Sequence, residues 1–268
     1  FKGHSAFDVK IMKKFPNLRI ISNFGVGYDT INVEDAKKLD LMVTYTPDIL
    51  SDDVADLALA LLLGVSRKLS LGLNWIQSGA WSVKGEMPLN KSVSGSACGI
   101  IGLGRIGLEI AKRLESFKVK IHYFSRSEKD VPEKWVYHDN PVDLAKNVDN
   151  LFVSLMGGDA TRGFVSKKVL DALGPTGILV NISRGSTIDE SALLESLENK
   201  GIYGAGLDVF DNEPNINPRF LKLSNVFLQP HQGSGTRETR KAMGDLQFSN
   251  IFEYLGSGKT LTPVPELQ

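Results

Sequence analysis

Cysteine is all but absent. Cys98 stands alone among 268 residues, which excludes an internal disulfide and points to a reducing, cytoplasmic compartment. Its place in an apolar run makes it a small buried hydrophobe rather than a reactive thiol. Neither sign of charge predominates, since 31 Lys and Arg face 31 Asp and Glu. That balance gives no electrostatic footing for nucleic acid or for an anionic membrane surface. Apolar runs such as Leu57 to Val65 are too short to span a bilayer, and no secretory signal is visible. Internal repeats and low-complexity segments are missing. Histidine is scarce, with four in the chain. Neither H-E-x-x-H nor a Cys/His spacing occurs, so no metal site is expected. His4 lies near the chain start, His122 within a strand, and His138 beside Asp139 in a stretch that reads as a polar loop.

Glycine, by contrast, is placed with purpose. Ala97-Cys98-Gly99-Ile100-Ile101 feeds the turn Gly102-Leu103-Gly104-Arg105-Ile106-Gly107, and Leu108 to Phe117 continues with helical spacing. This is the strand–turn–helix opening of a dinucleotide-binding βαβ unit. Gly102 permits the tight turn, Gly104 lets the backbone approach a pyrophosphate, and Gly107 lets the helix pack close to the strand. The helix start then offers N–H groups and a positive dipole end to the phosphates. A second strand, Val119 to Phe124, runs into Ser125-Arg126-Ser127. NAD-binding units place an acidic residue roughly there for the ribose hydroxyls, and none is present. A guanidinium flanked by two hydroxyls suits a 2′-phosphate, which favours NADPH over NADH. The plainer reading is a solvated turn, since Glu128-Lys129-Asp130 follows.

Upstream, the spacing predicts a helix over Val9 to Phe15, a strand over Leu18 to Phe24, a helix over Val33 to Lys38 and a strand over Leu41 to Thr44. Ser51 is a plausible N-cap for one long helix, Asp52 to Leu73, apolar on most sides and followed by a loop from Gly79 to Ser96. Downstream, helices are expected at Val142 to Lys146, Ser166 to Ala172 and Ile188 to Asn199. Strands are expected at Asn150 to Leu155, Gly177 to Ile182, Tyr203 to Val209 and Val226 to Leu228. Repeated β–α spacing implies a doubly wound parallel sheet.

In such a sheet ligands bind beyond the carboxyl ends of the strands. Arg184, Glu213 and His231 each follow an expected strand there, and together they form an acid–base and anion-binding set. Reducing a 2-oxo acid needs a proton for the carbonyl oxygen, and His231 is the natural donor. Glu213 would fix the ring's tautomer, and Arg184 would hold the substrate carboxylate and polarise the carbonyl.

Four segments carry a resemblance. They are Gly102 to Gly107, Asn181-Ile182-Ser183-Arg184-Gly185, Gly204-Ala205-Gly206-Leu207-Asp208-Val209-Phe210 with Glu213-Pro214, and Pro230-His231. In this order they resemble the D-2-hydroxyacid dehydrogenases over nearly the whole chain. Within that family, Asp52 to Leu57, Tyr123 to Ser127 and Gly233 to Arg240 look like the NADPH-dependent hydroxyphenylpyruvate, hydroxypyruvate and glyoxylate reductases.

The resemblance implies an α/β protein with a Rossmann domain at residues 51–233. A smaller flavodoxin-like substrate domain is implied at 1–50 and 234–268, lacking the residues with which family members begin. The cleft between the two domains is the expected active site. It gives Arg184, Glu213 and His231 the roles assigned above, and the backbone N–H groups of Val26 and Gly27 to the substrate carboxylate. Asp208 is implied to contact the nicotinamide carboxamide. Other cofactor contacts are expected from Arg105, Ile106, Ser125, Arg126, Ser127, Ile182, His231 and Gly233. Leu155 to Thr161 departs from the family's usual Leu-Thr/Pro-rich turn, where Thr161 retains a helix-start hydroxyl for the cofactor. A homodimer through the cofactor domains is also implied. Two other readings stay open: an NADH-linked D-lactate or phosphoglycerate type, and a nucleotide-sensing corepressor on the same fold.

Overall fold

Apolar strands need cover on both faces, and the computed structural model gathers them into a seven-stranded parallel sheet. The structure describes Phe1 and residues 5–268, so His4 lies outside the described residues. The chain forms two compact units, Phe1–Asp53 with Ser234–Gln268 and Val54–Gly233.

The first unit begins with α1 (Val9–Met12), β1 (Ile20–Ser22), α2 (Val33–Lys38) and β2 (Met42–Thr44). Asp8 and Asn32 cap the two helices with their side-chain oxygens. β1 and β2 pair in parallel around a core that includes Met12, Ile21, Tyr28 and Val43. The helix that closes this unit, Arg237–Ser257, has no counterpart in the sequence reading. Only Thr239, Met243 and Asn250 are buried along it, too sparse for a clear apolar stripe.

α3 (Ser51–Ser66) leads into the second unit and buries Val54, Ala55, Ala58, Leu61, Leu62 and Val65. The single long helix expected over 52–73 is two helices here. Lys68 takes a left-handed backbone conformation, φ 48°, which ends the first run before α4 (Leu69–Gln77). The expected loop contains a further short helix, α5 (Ala80–Lys84). No residue of α4 or α5 is buried.

The sheet follows as β3 (Ala97–Ile101), α6 (Arg105–Glu115), β4 (Lys120–Phe124), β5 (Val136–His138), α7 (Pro141–Lys146) and β6 (Asn150–Val153). It continues through α8 (Lys167–Leu173), β7 (Ile178–Asn181), α9 (Glu190–Glu198), β8 (Gly204–Leu207) and β9 (Val226–Leu228), with the 21-residue helix α10 (Arg237–Ser257) beyond. Strand order is β5-β4-β3-β6-β7-β8-β9, all parallel, so the direction of winding reverses between β3 and β6. That reversal is the topological switch point where doubly wound sheets take ligands. β6, β7 and β8 are buried from end to end. β5 corrects the sequence reading: His138 lies on a strand, with Phe124 its register partner, not in a loop. Three residues of mixed polarity carry too little periodicity to be recognised. Among the described residues no helix is long and apolar enough to cross a membrane.

Candidate active site

At the switch point, Gly102 sits at φ +93°, and a Cβ there would lie 2.5 Å from the Ser154 carbonyl oxygen beyond β6. Gly107 passes equally close to the turn, since its Cβ would stand 2.2 Å from the Gly102 oxygen. Only glycine fits these two positions. Gly104, the N-cap of α6, has nothing within 4 Å of its Cβ position, which leaves room for a pyrophosphate. The first intrahelical bond runs from Leu108 N to Gly104 O, so the amides of Arg105, Ile106 and Gly107 precede it. A dinucleotide's diphosphate fits this cradle by charge and by space.

β4 delivers Arg126 to the surface. Ser125 is buried, Arg126 through Asp130 are exposed, and the Ser125 hydroxyl donates to the Ser127 carbonyl at 2.5 Å. The loop is held from below by two tyrosines, Tyr123, which opens the segment that resembles the NADPH-dependent reductases, and Tyr137, which sequence reasoning passed over. Tyr137 Oη donates to the Ser125 carbonyl at 3.3 Å, and Tyr123 Oη accepts Lys129 N–H at 3.1 Å.

Beyond β7, β8 and β9 the candidate acid–base residues come together. Asp208 N donates to the Asn181 carbonyl at 3.0 Å, and His231 N donates to the Asp208 carbonyl at 2.8 Å. The three strand ends are thus linked edge to edge. Glu213 is fixed by its Oε1, which accepts Phe210 N–H at 2.9 Å, while its Oε2 lies 2.6 Å from His231 Nδ1. The pair is half-sheltered, with side-chain exposures of 14% for Glu213 and 35% for His231.

His231 holds a left-handed backbone, φ 54°, a conformation that costs a non-glycine residue roughly 1–2 kcal/mol. Asp208 offsets that cost. Its two carboxylate oxygens accept Gln232 N–H at 2.6 Å and Gly233 N–H at 2.8 Å, pinning the turn that follows. Burial pushes the Asp208 carboxyl up from its ordinary range, while those two N–H groups and nearby His231 oppose the rise.

Arg184 stands on the neighbouring loop. Asn181 shapes it: its Oδ1 accepts Ser183 N–H at 3.0 Å, and its Nδ2 donates to the Arg184 carbonyl at 2.9 Å. The Arg184 guanidinium donates to the Ser183 carbonyl at 2.8 Å. Gly185 brings this loop against the next, for a Cβ there would fall 1.9 Å from the Phe210 carbonyl carbon. Asn181 was legible in principle, because an Asn two residues before the bonded amide is an Asx turn.

The remaining expected residues are placed as follows. Ile182 is buried just past β7, at 7% exposure. Thr161 ends a 3-10 turn, Asp159–Thr161, and its hydroxyl donates to Met156 O at 2.6 Å rather than standing at a helix start. Val26 and Gly27 belong to the first unit, in a loop that Asn23 braces by donating to the carbonyls of Gly25 and Gly27 at 3.2 and 3.1 Å. The Gly25 carbonyl and the Val26 N–H belong to one peptide, so drawing that carbonyl toward Asn23 turns the Val26 N–H the other way. Among the described residues the N–H groups of Val26 and Gly27 have no partner. Cys98 is buried in β3, its thiol pushed up to about 11 by burial, which leaves it unreactive.

Residues 59–233 match the family described as D-isomer specific 2-hydroxyacid dehydrogenase, NAD binding domain. Glyoxylate/hydroxypyruvate reductase A of Arabidopsis thaliana is 45% identical over 96% of this chain and 82% of its own length. Hydroxyphenylpyruvate reductase of Plectranthus scutellarioides is 43% identical, covering 98% of this chain and 83% of its own. Among solved structures, NADPH-dependent glyoxylate/hydroxypyruvate reductase of Sinorhizobium meliloti, in complex with NADP and malonate, superposes with a TM-score of 0.95. It is 44% identical, over 99% of this chain and 83% of that one.

Proposed function

The chain belongs to the D-isomer specific 2-hydroxyacid dehydrogenase family, and from that premise we propose that it reduces a small 2-oxo acid to the D-2-hydroxy acid with NADPH. The substrate class is that of glyoxylate, hydroxypyruvate or hydroxyphenylpyruvate, the acids named in its relatives. The observation that carries this reading is the 2.6 Å contact between Glu213 Oε2 and His231 Nδ1.

When bound, the nicotinamide supplies a hydride for the carbonyl carbon. His231 supplies the proton. With Nδ1 committed to Glu213, Nε2 is the nitrogen that faces the substrate, and it donates to the carbonyl oxygen as charge builds there. Arg184 receives the substrate carboxylate and polarises the carbonyl. The N–H groups of Val26 and Gly27 are further donors to that carboxylate. Asp208 serves twice, as a nicotinamide contact and as the brace of the turn that carries His231. Gly102 to Gly107, with Ile182, Thr161 and Gly233, complete the cofactor contacts, and Arg126 with Ser127 selects the 2′-phosphate on a loop that the Ser125 hydroxyl helps to fold.

The exposed apolar side chains of Leu69, Leu73, Ile76, Trp81, Val83 and Leu89 support a homodimer through α4, α5 and the following loop. The single buried cysteine supports a cytoplasmic setting, and the balanced charge supports a small-molecule enzyme with no nucleic-acid partner. The test is oxidation of NADPH and of NADH, followed by the absorbance of the reduced nicotinamide, with each of the three acids. Turnover with at least one acid, faster with NADPH, is expected. No oxidation with any of the three would overturn the reading.

A further inference from the structure

We propose that Tyr123 and Tyr137 are positioning residues that set the preference for NADPH over NADH, by fixing the loop on which Arg126 meets the 2′-phosphate. The inference rests on the assignment of Arg126 to that phosphate.

The two tyrosines are register partners on adjacent parallel strands, their ring centroids 5.4 Å apart. Tyr123 is 1% exposed, yet its hydroxyl reaches up to the loop and takes both polar groups of one residue. It accepts Lys129 N–H at 3.1 Å and donates to the Lys129 carbonyl at 3.4 Å. Tyr137 Oη donates to the Ser125 carbonyl at 3.3 Å. Arg126 therefore lies between two anchored points, Ser125 and Lys129, in a segment that is otherwise exposed. Further on, Trp135 Nε1 donates to Glu115 Oε1 at 3.2 Å, which ties the approach to β5 to the end of α6.

The chemistry of recognition explains why these anchors matter. An arginine grips a phosphate through paired N–H groups in a fixed fork, so its reach and angle must be set in advance. A long side chain on a loose loop loses conformational freedom when it binds, and a braced loop has less to lose. The Ser125 hydroxyl gives its proton to Ser127 O, so the donors left for a phosphate here are those of Arg126 and Ser127. NADH has no 2′-phosphate and draws nothing from this brace. Loss of either tyrosine hydroxyl should weaken one cofactor and spare the other.

The experiment uses the full chain with Tyr137→Phe, Tyr123→Phe and, beside them, Arg126→Ala. Phenylalanine keeps the ring packing and removes only the hydroxyl. Each Phe variant is expected to raise the KM for NADPH by about threefold to tenfold, the scale of one hydrogen bond. The KM for NADH, the KM for the 2-oxo acid and kcat should stay at wild-type values. Arg126→Ala should raise the KM for NADPH further and leave NADH alone. If Arg126→Ala affects both cofactors alike, the 2′-phosphate assignment itself fails. If it is selective while both Phe variants leave the NADPH-to-NADH ratio unchanged, or weaken both cofactors equally, the assignment stands and the tyrosine proposal falls. Tyr137 is half-buried, so its variant supplies the answer even where the buried Tyr123→Phe folds poorly.

Discussion

Two edges of one sheet are built in different ways. Past β7, β8 and β9 the loops bond to each other: Asn181 to Asp208, Asp208 to His231, Phe210 to Glu213, Glu213 to His231. Past β4 the loop from Arg126 to Asp130 is exposed, and tyrosine hydroxyls beneath it are its anchors at Ser125 and Lys129. The contrast fits the roles proposed for the two edges. Proton transfer tolerates little error in distance, and the proposed donor, His231, is held by a network in which each member fixes the next. For the phosphate grip proposed for Arg126, the side chain's reach is set by two anchored points on an otherwise exposed loop.

The sharpest way to break the comparison is His231→Gln. Glutamine keeps a polar side chain near Glu213 but cannot carry and release a proton as imidazole does. Turnover should fall by about 10²–10⁴-fold, the usual contribution of a general acid, while the dissociation constant for NADPH, read by fluorescence titration, stays close to wild type. Unchanged turnover would show that the interlocked edge is structural and that the proton comes from elsewhere.

Gly185→Ala probes the interlock itself. The added methyl would meet the Phe210 carbonyl carbon at 1.9 Å, and the nearest atoms are all backbone of the Phe210–Asp211 peptide, which cannot swing aside as a side chain can. A loss of about 1–3 kcal/mol is expected, seen as a lower Tm, together with reduced kcat and an unaltered KM for NADPH. A variant with wild-type Tm would mean that the loops beyond β7 and β8 are not locked together.

Much of this could be read from the residues, and the exceptions have physical causes. The glycine turn was legible because backbone contact admits only glycine at Gly102 and Gly107, a constraint that leaves its mark in sequence. Arg184, Glu213 and His231 were legible as residues just past strand ends, although the distance between Glu213 and His231 was not. That distance depends on Asp208 and on amides that carry no side-chain signature. β5 stayed hidden because Val136-Tyr137-His138 is short and mixed, and its pairing with β4 is a tertiary event. The break at Lys68 stayed hidden because no glycine marks it and the apolar spacing carries on through Leu69, Leu71 and Leu73. α10 stayed hidden for the opposite reason, since a helix that buries so little shows no stripe.

The β4–β5 edge carries the smallest effect and the one that depends on pH. His122 Nδ1 lies 3.0 Å from His138 Nε2, and His138 Nδ1 lies 3.5 Å from Asp143 Oδ2. Two neutral rings share one proton in the hydrogen bond between them. Protonating both would set two positive charges side by side, with Lys120 adding to the repulsion. Burial, then His138, then Lys120 hold the His122 imidazole below its ordinary value of 6.5. The unfolded chain therefore takes up a proton before the native one does, and stability falls as pH drops through about 6.5 and below. His122→Gln should cost about 1 kcal/mol near neutrality by losing the ring-to-ring bond. The gap in Tm between wild type and variant should then narrow as pH is lowered from neutral toward acid. A gap that widens on acidification would mean that this histidine pair favours the protonated state, and that the looser edge of the sheet is held together by charge.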